Sequence, residues 1–227
     1  MSHLLDNAIW HALTGPQARF ASGHGLARHY DPEVSPFCAV AEASAAAFVD
    51  LASSLPAGAD AVLFRPAVEP AFPGWEAIRD REIIQMAAES VPAEGAMPEP
   101  LGDDDVKAML GLTALTQPGP FRAITFELGG YVGFRRGGAL IAMGGERFRL
   151  PGFVELSAIC VHPDVRGEGL GFAVVAHLTR RAFSQGDTPF LHVFPDNPAL
   201  ALYRRLGFRE RARAVVSFRR RVAIGGH

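Results

Sequence analysis

A glycine-rich turn at Val165–Gly171 (VRGEGLG) is the feature of this sequence with the clearest chemistry. It follows an apolar run, Phe153–Val161, and precedes Phe172–Phe183, where apolar residues recur with helical spacing. Glycines let the backbone approach a bound group closely, and the first turn of a helix offers unpaired N–H groups at its positive end. The order strand, glycine turn, helix therefore predicts a cradle for a pyrophosphate.

Three phosphate-binding motifs compete for this turn. A P-loop is excluded because the sequence lacks the lysine of the G-x-x-x-x-G-K-S/T pattern. The dinucleotide fingerprint G-x-G-x-x-G would need a glycine where Phe172 stands, and a phenylalanine is too large for close helix–strand packing. The third pattern, R/Q-x-x-G-x-G/A, is matched in full by Arg166–Gly171.

Several predicted elements lead up to this turn. Asp103–Asp105 can cap a helix that runs to about Thr113, because acids suit the positive end of a helix dipole. Two β-like runs, Tyr131–Arg135 and Ala139–Gly145, flank Gly137-Gly138 and predict a tight hairpin. Phe153–Val161 is the next predicted strand, and Pro163 ends it.

A linker is predicted at Val91–Asp105, which holds three prolines, two glycines and five acids. The regions on either side are residues 1–98, predicted as a small α/β region without a reactive cluster, and residues 101–227. The first region contains two predicted helices and two extended runs: Leu4–Leu13, Glu42–Leu55, Ala61–Phe64 and Trp75–Gln85.

Charge is divided unevenly along the 227 residues: the net charge is −2, but residues 1–105 carry −11 and residues 106–227 carry +9. One interpretation is that the basic second half binds an anion or packs against the acidic first half. The other is that the six arginines of Arg209–Arg221 protect a solvated edge strand by their charge. The small overall charge favours neither nucleic acid nor membrane as a partner. Two cysteines are too few for a disulfide framework. Because the sequence has no signal-peptide pattern, we expect a cytoplasmic protein, and because its histidines and cysteines lack metal-ligand spacing, we expect no metal.

Two segments together resemble the GNAT superfamily of acetyl-CoA-dependent N-acetyltransferases. Leu156–Gly171 (LSAICVHPDVRGEGLG) is similar to its fourth strand and pyrophosphate loop, and Leu191–Phe208 (LHVFPDNPALALYRRLGF) to its fifth strand, Asn-containing loop and following helix. The resemblance implies an α/β (α+β) fold with a mixed, mostly antiparallel twisted sheet flanked by helices. It spans roughly residues 101–218 and does not clearly cover the first half. The second half is similar to two-part, glycine N-acyltransferase-like members, which implies that residues 1–98 are a degenerate copy of the fold.

The resemblance also implies the residues that bind acetyl-CoA. The pantetheine would pair with the fourth strand, and the loop amides would hold the pyrophosphate, with Asn197 either touching the cofactor or only capping a helix. The implied set is Ile159, Cys160, Val161, Arg166, Gly167, Glu168, Gly169, Leu170, Gly171, Phe172, Asn197 and Tyr203.

Two residues are implied for catalysis. Tyr203 matches the family tyrosine that protonates the CoA sulfur, although core packing beside Leu206 and Phe208 is its alternative role. Glu155, 11 residues before Arg166, is at the spacing of a general base, and its alternative is a surface carboxylate. Cys160 is expected to be a buried small residue, not a nucleophile. His162 and His192 are expected to be structural, with a proton relay as their alternative role.

The function expected is direct transfer of an acetyl group to a primary amine of a small molecule or peptide. The alternative from another class is a non-catalytic CoA-binding or regulatory module, and a third is a nucleotide-dependent oxidoreductase. The acidic first region would cover the acceptor cleft or form a homodimer face.

Overall fold

The computed structural model describes residues 3–223. The chain divides into two compact units, one formed by Met1–Ile83 with Arg213–His227 and the other by Ile84–Ala212. We call them unit 1 and unit 2. The division into regions 1–98 and 101–227 stays a prediction. The outer limits of these regions, residues 1 and 227, lie outside the described residues.

Five α-helices are described: α1 (Ala8–Leu13), α2 (Ala45–Ser54), α3 (Val106–Thr116), α4 (Leu170–Ser184) and α5 (Leu200–Arg205). The strands are β1 (Ala21–Ser22), β2 (Ala27–Tyr30), β3 (Cys38–Val40), β4 (Asp60–Arg65), β5 (Trp75–Ala88), β6 (Glu99–Leu101), β7 (Tyr131–Arg136), β8 (Ala139–Leu150), β9 (Phe153–Val161), β10 (Thr188–Val193) and β11 (Phe208–Arg221). Short 3-10 turns are Leu4–Asn7, Ala18–Phe20, Asp103–Asp105, Thr125–Leu128 and Pro163–Val165. Within the described range, no helix is long and apolar enough to cross a membrane.

Unit 1 is built around the apolar face of α2. The hydroxyl of Ser44 caps this helix by accepting a hydrogen bond from the Ala47 amide at 3.2 Å. Phe48 lies in the core at the centre of the helix, and the Trp75 indole donates to its carbonyl oxygen at 3.0 Å. The strands β1, β2 and β3 form a separate antiparallel sheet.

In unit 2 the sheet has the order β5-β10-β9-β8-β7-β6, with every pairing antiparallel except β10 with β9. Its two faces are covered by different helices. The core with α4 includes Leu156 and Val174, whereas the core with α3 includes Met109 and Cys160. This confirms the predicted mixed, mostly antiparallel sheet flanked by helices.

The arginine-rich strand β11 is not an edge strand, so that interpretation was wrong. It lies between β4 and β5 in the sheet order, and Val215–Arg220 pairs with Asp60–Arg65 within unit 1. Its arginines pair there with acids from the first half of the chain: Arg213 with Glu82 at 2.7 Å, Arg219 with Asp80 at 2.9 Å and Arg220 with Asp60 at 2.9 Å. These three pairs account for part of the charge asymmetry of the sequence by pairing distant segments of one chain.

Candidate active site

The glycine turn has the geometry predicted for it. Gly167 (φ 88°) and Gly169 (φ 83°) are left-handed, and Gly169 is the N-cap of α4. The first hydrogen bond within this helix runs from the Ala173 amide to the Gly169 carbonyl at 3.0 Å. The N–H groups of Leu170, Gly171 and Phe172 therefore point out of the helix end, where they can bind an anion.

Gly171 allows the helix to pack closely on the strand before it. A Cβ at this position would lie 3.3 Å from Cγ2 of Val161, which is tighter than ordinary contact. The end of β9 and the start of α4 are thereby held together, so that the turn and the strand form one continuous surface.

The strand β9 offers hydrogen-bonding groups along part of one edge. On one side it pairs with β8 as far as Val161, but its parallel pairing with β10 covers only Phe153–Glu155. We call the diverging part of β9 and β10 beyond these pairs the strand opening. Ala158 has a left-handed φ of 53°, and with Ile159 it opposes the single residue Gly144, which makes a β-bulge.

Glu155 is buried with a relative exposure of 0% and is fully engaged in hydrogen bonds. Its Oε2 accepts from Nε of Arg147 at 2.6 Å, and its Oε1 accepts from Nη2 of Arg147 at 2.7 Å. Burial would raise the pKa of this carboxyl, but the charge of Arg147 and the hydrogen bonds from His192 and Arg147 outweigh burial and lower the pKa to about 2. The predicted surface carboxylate is therefore wrong, and this geometry does not favour a general base.

Tyr203 lies on α5 and packs edge-on against Phe208, with ring centroids 6.1 Å apart. Burial raises the pKa of its phenol to about 12, and Cys160 adds to the rise. Cys160 is buried on β9, and burial raises the pKa of its thiol to about 11. Tyr203 therefore stays protonated at neutral pH close to β9, and Cys160 stays a thiol.

The remaining predicted residues lie at the rim of the turn. Arg166 is exposed, and Glu168 in the turn forms an ion pair with Arg136 from β7. Oδ1 of Asn197 accepts a hydrogen bond from the Ala199 amide at 2.8 Å, as expected of a residue that organises the start of α5. His162 accepts from the Asp164 amide at 3.3 Å within the turn that ends β9.

Comparison with known proteins agrees with this geometry. An acetyltransferase assigned to the GNAT family from Novosphingobium aromaticivorans DSM 12444 is 32% identical, with a TM-score of 0.91, covering 98% of this chain and 100% of the other. The chain belongs to the GNAT family. A family model described as FR47-like protein also matches residues 131–217. No curated protein is significantly similar in sequence.

More distant GNAT structures share the fold. A GCN5-related N-acetyltransferase from Kribbella flavida is 20% identical with a TM-score of 0.63, covering 97% of this chain and 96% of the other. A GNAT acetyltransferase from Colwellia psychrerythraea is 15% identical with a TM-score of 0.53, covering 96% and 97%.

Sequence reasoning missed the side chains that surround Glu155 in this GNAT chain. Arg147 comes from β8, His192 from β10 and Gln85 from β5, and all three are brought together by strand pairing. The sequence did contain one signal for the Arg147–Glu155 pair, since these two residues lie on either side of the tight turn at Gly152 between β8 and β9. Opposite charges on either side of a hairpin turn indicate a cross-strand pair.

Proposed function

We propose that this GNAT chain is an N-acetyltransferase that transfers the acetyl group of acetyl-CoA directly to a primary amine. The observation that carries the proposal is the continuity between the glycine turn at the start of α4 and the free edge of β9. The first suits a pyrophosphate, and the second suits the amide-rich pantetheine that follows it in coenzyme A.

The residues present fit such a donor. A Cβ built on Gly167 or Gly169 meets no atom within 4 Å, so the space in front of the turn is open to a ligand. The amides of Leu170, Gly171 and Phe172 would hold the pyrophosphate, with Arg166 close by on the exposed side. The backbone of Ile159, Cys160 and Val161 would pair with the pantetheine.

The bound donor would supply a thioester, whose carbonyl carbon is open to attack by an amine. Free N–H groups of β9 near the bulge at Ala158 would hydrogen-bond the carbonyl oxygen and stabilise the charge that develops there. Tyr203, which its raised pKa keeps protonated, would give its phenolic proton to the departing thiolate and regain a proton from solvent water. Because both oxygens of Glu155 are occupied, we assign the loss of the amine proton to solvent water.

The amine would be that of a small molecule or peptide, bound beside α3. A cavity of about 430 Å³ lies there, lined mostly by apolar groups from the end of α3 and the segment after it: Leu110, Thr113, Ala114, Gln117, Gly119 and Phe121. Phe121 contacts Tyr131 edge-on at 5.5 Å, which links the cavity to the sheet. A cytoplasmic location and a homodimer stay predictions.

Two measurements test the proposal. Isothermal titration with acetyl-CoA is expected to show binding, and free thiol release with a panel of primary amines is expected to show turnover. Binding without release for any amine would favour the non-catalytic CoA-binding module. Affinity for NAD(P)H instead of acetyl-CoA, measured by fluorescence titration, would overturn both and favour an oxidoreductase.

A further inference from the structure

A buried side-chain bridge crosses the start of the strand opening. Glu155 is the last residue of β9 that pairs with β10, and its partner there is Phe190. His192 lies two residues beyond Phe190, where the parallel pairing has ended. Nδ1 of His192 nevertheless lies 2.6 Å from Oε1 of Glu155, and these side chains are 2% and 0% exposed. The bridge therefore ties the two strands together where they begin to separate.

Both ends of the bridge are anchored in neighbouring strands. On the β8 side, Arg147 donates two hydrogen bonds to Glu155. On the β5 side, Nε2 of Gln85 lies 3.0 Å from Nε2 of His192, the residue opposite it in the antiparallel register. One polar network thus runs through β8, β9, β10 and β5 within unit 2. We call Arg147, Glu155, His192 and Gln85 the bridge network.

The hydrogen bonds also define the state of the imidazole. Nε of Arg211 donates to Oε1 of Gln85, so the amide NH₂ of Gln85 must face His192. Nε2 of His192 then accepts a hydrogen bond, which leaves Nδ1–H to donate to Glu155. This hydrogen-bond pattern is that of the Nδ1–H tautomer of His192.

We infer that Glu155 and His192 are positioning residues that set the width of the strand opening, in which the acyl end of the donor binds. This inference rests on the proposed function. Glu155 lies three residues before the bulge at Ala158, so a shift of its strand would move the backbone that faces the thioester. Displacements of about 1 Å at a reacting centre are enough to reduce rates strongly.

The charges around the bridge network support a positioning role over proton transfer. Arg147 balances the charge of Glu155. His192 bonds to this paired carboxylate and to the amide of Gln85, which in turn accepts a hydrogen bond from Arg211. Tyr131 also interacts electrostatically with Glu155, and burial raises the pKa of its phenol above the ordinary value. Tyr131 thus stays uncharged at neutral pH. No group of the network needs to change protonation for it to hold the strands.

The first test measures the free protein. In a sample labelled with ¹⁵N-histidine, His192 is expected to show a protonated Nδ1 and an unprotonated Nε2 at neutral pH. The His192→Asn variant assigns its resonances among the eight histidines of the chain. The Nε2–H tautomer, which has no proton on Nδ1 to donate to Glu155, would overturn the inference, whether or not the protein binds acetyl-CoA.

The second test measures binding of CoA itself. His192→Leu, which cannot donate to Glu155, is expected to weaken the affinity for CoA by about tenfold, since the opening loses its fixed width. His192→Asn places an amide N–H where Nδ1 stood and is expected to recover most of this affinity. Leu178→Ala, a core change on α4, controls for a general loss of stability.

The third test separates positioning from proton transfer. In His192→Leu and Glu155→Gln we expect KM for acetyl-CoA to rise and the acidic limb of the pH profile to stay in place. Loss of that limb with unchanged CoA affinity would show that the pair accepts the proton, and it would overturn the inference while leaving the proposed acetyl transfer intact. No affinity for CoA in the unmodified protein would instead refute the proposed function.

Discussion

The carboxylate of Glu168, inside the glycine turn, is paired with the guanidinium of Arg136 at the end of β7, where Nη1 lies 3.3 Å from Oε1. The hydrogen bond and charge of Arg136 lower the pKa of Glu168, so the acid is ionised at neutral pH. A negative charge thus lies in a turn that we propose to bind a pyrophosphate, and Arg136 compensates it.

The first prediction follows from this pair. Glu168→Gln is expected to strengthen CoA binding by about threefold to tenfold, because a like charge is removed from the anion site, and Arg136→Gln is expected to weaken it similarly. Both effects should shrink at high salt, as titrations at two ionic strengths will show. Arg213→Gln breaks an equally exposed ion pair with Glu82 and should leave CoA binding unchanged. If Arg213→Gln changed the affinity for CoA as much as the other two variants do, charge compensation of Glu168 by Arg136 would be refuted.

The second prediction concerns the left-handed glycine at the start of α4. Gly169→Ala is expected to lower stability by about 1–2 kcal/mol because of backbone strain, and to weaken CoA binding by redirecting the loop amides. Gly152→Ala, in the turn between β8 and β9, also has a positive φ (77°) with open space around the new methyl group. It should cost similar stability, measured by thermal unfolding, without a change in affinity. A matching loss of affinity would show that strain alone is responsible.

The third prediction addresses Tyr203. Tyr203→Phe is expected to reduce kcat by about a hundredfold, as for loss of a general acid, with an unchanged Kd for acetyl-CoA. Because the pKa of Tyr203 is about 12, no basic limb from this residue should appear between pH 7 and about pH 10 in the unmodified enzyme. Tyr30→Phe, which removes a buried hydroxyl bonded to Gln17 at 2.6 Å, serves as the control. Unchanged turnover in Tyr203→Phe would leave this residue with a packing role only.

The fourth prediction concerns acid stability. The pKa of Glu155 is about 2 in the folded chain against an ordinary value of 4.5. A carboxyl whose folded pKa is lowered stabilises the fold above its unfolded pKa, and that contribution is lost as the pH falls from 4.5 toward 2. The urea midpoint should therefore fall less steeply across this window in Glu155→Gln than in the unmodified chain. The exposed Glu94→Gln should keep the full pH dependence, and equal slopes in both variants would contradict the ion pair.

The fifth prediction concerns the two cysteines. Burial raises the pKa of Cys160 to about 11 and that of Cys38 to about 12, so neither forms much thiolate at pH 8. A disulfide reagent is expected to label both slowly in the folded protein and rapidly in denaturant. Fast labelling of Cys160 in the native state would show that the strand opening exposes its sulfur.

The local elements could be predicted well where the sequence signal was itself local. The limits of β9 agree with those predicted, and the hairpin at Gly137-Gly138 has both glycines left-handed. The predicted end of β8 at Gly145 was too early, because the strand continues to Leu150. Gly145 makes room within the sheet, since a side chain there would meet the ring of Tyr131.

The candidate site could be predicted only in part, for a physical reason. The glycine turn is encoded within six adjacent residues, so its pattern is visible in the sequence. The state of Glu155 depends on Arg147, eight residues away, and on His192, 37 residues away, which only the strand register brings together. The interior position of β11 depends likewise on pairing between Val215–Arg220 and Asp60–Arg65, which are far apart in the sequence.

The composition of unit 1 has a consequence for synthesis on the ribosome. Its strand pairing joins Asp60–Arg65 to Val215–Arg220, so β4 must wait for a partner that follows the whole of Ile84–Ala212. Nascent domains usually form from the N-terminus onward. Here the contiguous unit 2 can form first, and β4 reaches its partner β11 only after Val215–Arg220 has been made.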